Sequence, residues 1–156
     1  RVEEMLGMEI NVCLGNDGFS QTMWEEMKTA YLLHKVHHRD PRRMNGMDVM
    51  QMGVTNNAAL AESFFPGERL GVLVPGAAAD ILLVDYQPNT TLTSGNLPWH
   101  ILFGFNESMV TATMVGGQLL MKDRELLKLD AEAIHARARE LAPAVWARYE
   151  QFASAA

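Results

Sequence analysis

Ile10-Asn11-Val12-Cys13-Leu14-Gly15-Asn16-Asp17-Gly18 is the stretch on which the fold turns. Its first five residues form a short, largely apolar run with β-branched content, which predicts a buried strand. The next four residues, two of them glycine, end that strand in a tight turn. A helix is expected from Ser20 to about His38, because Met23, Met27, Ala30, Tyr31 and His34 recur at spacings of three and four and share one face. Pro41 prevents its continuation. A strand followed at once by a long helix is a βα unit of parallel α/β architecture. In such folds ligands gather just past the carboxyl ends of the strands, and Asp17 stands there. Its carboxylate suits a metal ligand, a general base, or a cap for the helix that follows.

To the N-terminal side, Val2 to Leu6 reads as a helical scrap stopped by Gly7. To the C-terminal side, Asp48 suits an N-cap. Val49, Met52, Gly53, Asn56, Ala59 and Leu60 then give a second helical stripe, ending before Pro66-Gly67. Beyond Pro66 the pattern changes. Gly71 to Val74 is a short strand candidate that meets the turn dipeptide Pro75-Gly76, and Ala79 to Tyr86 is the strongest strand signal in the chain. Gln87 to Pro98 reads as a polar loop. Ser108 to Val115 and Gln118 to Met121 flank Gly116-Gly117, which predicts a two-residue hairpin turn. Asp130 is expected to cap a last helix from Ala131 to about Phe152, with Pro143 as a kink or restart and a frayed tail after it. The chain thus divides near Pro66 to Leu70 into an α/β part and an antiparallel β part.

Composition bounds the function. With 156 residues, 48% of them apolar, the chain can bury one core of ordinary size and does not read as disordered. A net charge of −6 and the lack of a basic stripe argue against nucleic acid as a partner. The one basic cluster, Arg39 to Arg43, contains Asp40 and Pro41 and reads as a solvated loop. Cys13 is the single cysteine, so no internal disulfide forms, and its place in the apolar run makes it a packing residue. No apolar stretch approaches the roughly 20 residues a membrane span needs. With no signal peptide and no initiating Met, the expectation is a cytoplasmic chain cut from something longer. The 11 methionines read as core packing.

The five histidines invite a metal reading. His34, His37 and His38 lie at i, i+3 and i+4, but Lys35 stands where a helical zinc motif carries Glu. Cationic side chains placed against the end of a helix dipole account for them better. His135 is expected to face solvent, and His100, at a loop-to-strand junction, to serve packing or hydrogen bonding.

Two segments together carry a resemblance. Leu14-Gly15-Asn16-Asp17-Gly18, followed by a helix, resembles the end of the eighth barrel strand in metal-dependent amidohydrolases, where Leu-Gly-Thr-Asp-Gly is usual. Leu70-Gly71-Val72-Leu73-Val74-Pro75-Gly76-Ala77-Ala78-Ala79-Asp80-Ile81-Leu82 is similar to the Gly-x-Leu-x-Pro-Gly-x-x-Ala-Asp-Leu signature of that superfamily, which marks the return from the barrel to a small β-sandwich. Asn16-Asp17-Gly18-Phe19, Asn56-Asn57-Ala58-Ala59, Phe64-Phe65, Ala79 to Tyr86 and His100 to Gly104 resemble most its cytosine-deaminase-like and chlorohydrolase-like branch, and within it the SsnA-type aminohydrolases.

The resemblance implies an α/β plus β fold. Residues 1–66 would be the last strand and helices of a (β/α)8 TIM barrel, 67–129 the C-terminal strands of a composite β-sandwich, and 130–156 a C-terminal helix and tail. It also implies that Asp17 binds or approaches a catalytic divalent metal, zinc or iron, and shuttles a proton between attacking water and leaving group. The other metal ligands of the family, a His-x-His and two further histidines, precede that aspartate, and none of the five histidines here stands in those places. A whole barrel takes about 250 residues. The expectation is therefore the C-terminal portion of an enzyme that hydrolyses a C–N bond, deaminating an amino-substituted ring with metal-activated water. Alone, this portion would be inactive and would not retain the metal. Its implied partners are a small-molecule substrate and the N-terminal part of the same protein; a homodimer is allowed, and neither nucleic acid nor membrane is implied. A chlorohydrolase, an amidase and a non-catalytic assembly or binding module are the alternatives.

Overall fold

A computed structural model describes residues 1–18 and 21–154. The helix α1 (Val2–Gly7) ends where Gly7 was expected to stop it. The backbone from Ile10 to Asp17 belongs to no sheet and turns tightly at Asn11, where the Val12 N–H donates to the Ile10 carbonyl at 2.8 Å, so the strand expected at Ile10 to Leu14 does not form. A strand needs neighbouring backbone to pair with, and among the described residues none runs beside this segment. Side-chain amides take that place.

The helix α2 (Met23–His38) follows. Its N-cap is Thr22, whose hydroxyl accepts a hydrogen bond from the Trp24 amide at 3.3 Å. Ser20, expected as the start, lies outside the described residues. Arg39, in the left-handed conformation at φ 51°, closes the helix; its N–H donates to the Val36 carbonyl, and the following Asp40 N–H donates to the Lys35 carbonyl. The next helix begins earlier than expected, because Asn45 and not Asp48 is the cap. The Asn45 Oδ1 accepts from the amides of Met47 and Asp48, while the Asp48 carboxylate accepts from the Asn45 amide, a reciprocal capping box. From that box α3 (Gly46–Met50) passes into a π-helical segment (Gln51–Asn56) and then α4 (Asn57–Phe64), one continuous rod with a widened turn in its middle.

Where a strand was expected at Gly71 to Val74, the chain instead makes exposed turns, with Gly71 at φ 70°. The sheet starts with β1 (Ile81–Val84), inside the expected Ala79 to Tyr86. After a polar loop, α5 (Leu97–Gly104) forms with Pro98 in its first turn, so His100 lies on a helix and not at a loop-to-strand junction. Then come β2 (Val110–Val115), β3 (Gln118–Lys122) and the short β4 (Glu125–Leu126), which the sequence did not announce. The four strands pair antiparallel in the order β1-β2-β3-β4. Gly116 and Gly117, at φ 54° and 75°, make the expected two-residue turn. Asp123 and Arg124, at φ 52° and 67°, make a second. Among the described residues this is the one sheet, and the two layers of a sandwich are not formed by them. Asp130 caps α6 (Ala131–Ala153) by accepting from the Ala133 amide, as expected, and the helix continues through Pro143 instead of restarting.

The core is small and rich in methionine. Met27, Met44, Val49, Met52 and Leu102 are buried together, with Val12, Leu14, Trp24 and Tyr31 packed around them. It therefore joins α2, the α3–α4 rod and α5, and the Ile10 to Leu14 segment lies along its edge. Full burial of one such side chain contributes about 1.5–3 kcal/mol. In the sheet only Ala112 is buried, and no residue of α6 is. No described helix is long and apolar enough to cross a membrane.

Candidate active site

Asp17 is solvent-exposed at the end of this segment. It does not cap α2, since Thr22 holds that place. Upstream of it, two adjacent side-chain amides hold the backbone. The Asn57 Nδ2 donates to the Leu14 carbonyl at 2.8 Å, and the Leu14 amide donates to the Asn57 Oδ1 at 3.2 Å. The Asn56 Nδ2 donates to the Val12 carbonyl at 2.7 Å. Asn11 donates to the Asn56 carbonyl at 3.5 Å, and Asn57 also donates to the Gly53 carbonyl at 3.2 Å. The Val12 and Leu14 carbonyls both turn toward the helical rod that carries Asn56 and Asn57. The pair of amides thus imitates the edge of a neighbouring strand.

Beside this segment lies an open apolar hollow of 720 Å³, lined by Cys13, Leu60, Phe64 and Phe65 among others. Cys13, expected as a packing residue inside a strand, is half-buried and lines this open hollow. A more polar hollow of 610 Å³ sits between the β1–α5 loop and α5. In it the Tyr86 hydroxyl lies 2.7 Å from the His100 Nδ1 and the Thr90 hydroxyl 3.4 Å from Nε2, so both ring nitrogens have partners. His100 is thus a hydrogen-bonding residue, in line with expectation. His135 is exposed on α6.

His34 and His38 do share a face, and it meets Glu3 of α1, a contact that sequence spacing could not show. Their Nδ1 and Nε2 atoms lie 3.6 and 3.8 Å from the Glu3 carboxylate. The same carboxylate accepts from the Arg43 Nε and the Met44 amide, each at 2.8 Å. Burial pushes the Glu3 carboxyl up, but the hydrogen bonds from Met44 and Arg43 and the nearby Arg43 and His34 charges together hold it below its usual value. Desolvation, followed by the charges of Arg43 and His37, lowers His38. Among the described residues this is the one place where three such ligand groups converge. The Arg43 guanidinium already occupies the oxygen that a cation would need, so the cluster works as a tie between α1, α2 and the loop after it. Lys35 supports that loop from the other side, donating its ammonium to the carbonyls of Arg43 and Met44.

Metal chemistry at Asp17 has a different balance. A mononuclear hydrolytic site takes about three protein ligands. Asp17 offers one carboxylate, and among the described residues no group of three ligands includes it. It fits as one contributed ligand or as an acid–base group, and these residues do not by themselves complete a site.

Comparison with known proteins bears on the same residues. The chain matches the amidohydrolase family over residues 1–120. It is 34% identical over 145 residues to a 5'-deoxyadenosine deaminase of Methanosarcina barkeri, covering 90% of this chain and 32% of that protein. It is 35% identical over 129 residues to a 5-methylthioadenosine/S-adenosylhomocysteine deaminase of Thermococcus onnurineus, covering 80% of this chain and 29% of that one. Among solved structures, an adenosine deaminase from Xanthomonas campestris with bound zinc superposes with a TM-score of 0.75 at 21% identity, over 92% of this chain and 33% of that one. An atrazine chlorohydrolase from Arthrobacter aurescens, complexed with zinc, superposes with a TM-score of 0.69 at 21% identity, over 90% and 31%. These structural likenesses show the fold alone. The chain spans about a third of the length of the relatives it matches.

Proposed function

The chain belongs to the amidohydrolase family, and from that premise we propose that the whole protein is an aminohydrolase releasing the ring amine of an adenosine-type nucleoside as ammonia. The observation that carries this reading is the 34% identity over 145 residues to a 5'-deoxyadenosine deaminase. A chlorohydrolase is less well supported, since the atrazine enzyme is similar at 21% identity and in fold only.

In this reading residues 1–66 are the end of the (β/α)8 barrel, 67–129 the strands of the composite β-sandwich, and 130–156 its C-terminal helix and tail. The remaining barrel strands and metal ligands belong to polypeptide beyond these residues. A divalent metal, zinc in the solved relatives, supplies the Lewis acidity that lowers the pKa of the attacking water. Asp17 is the ligand or near neighbour that this chain contributes. Its carboxylate takes the proton from the water as oxygen adds to the ring carbon, then returns it to the nitrogen as the C–N bond breaks. The products are the hydroxyl (oxo) ring and ammonia, so atoms and charge balance.

The test is ammonia release from 5'-deoxyadenosine and 5-methylthioadenosine by the full-length protein and its Asp17→Asn variant, at matched metal content. The amide keeps the size of Asp17 but cannot carry the proton, so turnover should fall by about 10² to 10⁴. Because Thr22 caps α2, the melting temperature should stay unchanged. An active Asp17→Asn enzyme would withdraw the residue from the reaction.

A further inference from the structure

We infer that Asn57 is a positioning residue for Asp17, acting through the backbone of Leu14; this rests on the reading of Asp17 given above. Leu14 is the last residue before Gly15-Asn16-Asp17-Gly18. The two exposed glycines give this turn little stiffness of its own, and neither would crowd a Cβ. The Leu14 anchor is the fixed point from which this turn departs, three residues before Asp17. Both polar groups of the Leu14 peptide backbone are taken by one side chain, with the donor and acceptor of Asn57 aligned against an N–H and a C=O. Asn57 is itself held by its bond to the Gly53 carbonyl one turn back. Asn56, buried to 8% exposure, holds Val12 by a single bond, its Nδ2 donating to the Val12 carbonyl.

The π-helical segment is what makes this double grip feasible. Successive side chains of a regular α-helix diverge by about 100°. Asn56 closes the widened turn and Asn57 opens α4, and they reach the Val12 and Leu14 carbonyls respectively. Such single-turn insertions are frequent at functional sites. A plain core role for Asn57 would leave no reason for a polar side chain that satisfies three backbone groups of two separate elements.

The experiment is a double-mutant cycle in the full-length metal-loaded protein, with kcat and KM for 5'-deoxyadenosine measured for Asn57→Ala, Asp17→Asn and the pair, well below their melting temperatures. A misplacement of about 1 Å can cost on the order of 10²-fold in rate. Asn57→Ala should therefore lower kcat by about 10- to 100-fold with KM little changed, and should cost almost nothing further in the Asp17→Asn background. Asn57→Asp keeps the acceptor for the Leu14 amide and loses the donor, so it should be partly impaired, and it stands in if Asn57→Ala fails to fold. An unchanged kcat in the folded variant overturns the inference, as does the same fold-loss with and without Asp17. Full activity of Asp17→Asn alone would instead overturn the reading on which it rests.

Discussion

Gly104 faces the ring of Tyr86 so closely that a Cβ on it would lie 2.5 Å from the phenol oxygen and 2.8 Å from two ring carbons. The ring cannot easily yield, since it packs edge-on against Phe105 and is hydrogen-bonded to His100. Gly104→Ala should therefore destabilise the chain by about 1–3 kcal/mol, the usual cost of overpacking. Gly53→Ala meets only the flexible Met27 side chain, at 2.9 Å, and should cost less. Urea unfolding of the two variants measures the difference; equal losses would show that Tyr86 can swing aside.

The Glu3 tie makes a pH prediction. Its folded carboxyl lies below the ordinary value of 4.5, so the stability it contributes is complete above that value and is lost as pH falls through and below it. His38 is also lowered, which favours its neutral form, so folding weakens further as pH falls below about 6.5. Glu3→Gln should cost about 1–2 kcal/mol at neutral pH. It should also flatten the acid limb below pH 4.5. The His38 portion should persist and steepen slightly, because Glu3 is the one neighbour that raises His38. Melting temperatures from pH 3 to 8 provide the check, and parallel curves for the two proteins would contradict it.

Asn45 carries the start of the α3–α4 rod. Asn45→Ala removes the acceptor for two amides and the partner of Asp48, and should cost about 1 kcal/mol, within the usual 0.5–2 kcal/mol for such caps. Asp48→Ala should cost less, because Asp48 satisfies one backbone amide and the Asn45 side chain, whereas Asn45 satisfies two helix-end amides. Thermal unfolding ranks the two, and the reverse order would restore Asp48 as the cap.

Metal retention tests the isolation of Asp17. In equilibrium dialysis against zinc, the 156-residue chain and its Asp17→Asn variant should bind the same amount, because one carboxylate gives too few ligands. Loss of a full equivalent on substitution would reveal ligands that the described residues do not show.

Local signals were the legible ones. Gly116-Gly117 and Asp130 were readable because a two-residue turn and a helix cap are fixed by neighbours in sequence. Ile10 to Leu14 was misread as a strand, and Gly71 to Val74 likewise, because pairing depends on backbone distant in the chain. Asn45 and Asp48 are both good caps three residues apart, so composition could not choose between them. Asp17 is assigned from its motif and remains part of the proposal. Asn56 and Asn57 entered only as part of a helical stripe and of the family resemblance. A polar residue at Asn56, in step with the buried Val49 and Met52, was the available signal that something beyond packing holds that face. Glu3 was invisible because its partners lie about 30 to 40 residues away.

The two tight turns of the sheet also govern the order in which it can assemble. Two pairs of residues with positive φ, Gly116-Gly117 and Asp123-Arg124, leave β2, β3 and β4 connected by two-residue hairpins. Hairpins of this kind close in about 1–10 μs. β1 must instead wait for a much longer excursion that contains α5, whose Leu102 belongs to the helical core. The last strand pairing is thereby kinetically coupled to the packing of the helices, and a register slip in β2, which would turn Ala112 from the buried face to solvent, has to be corrected before that step.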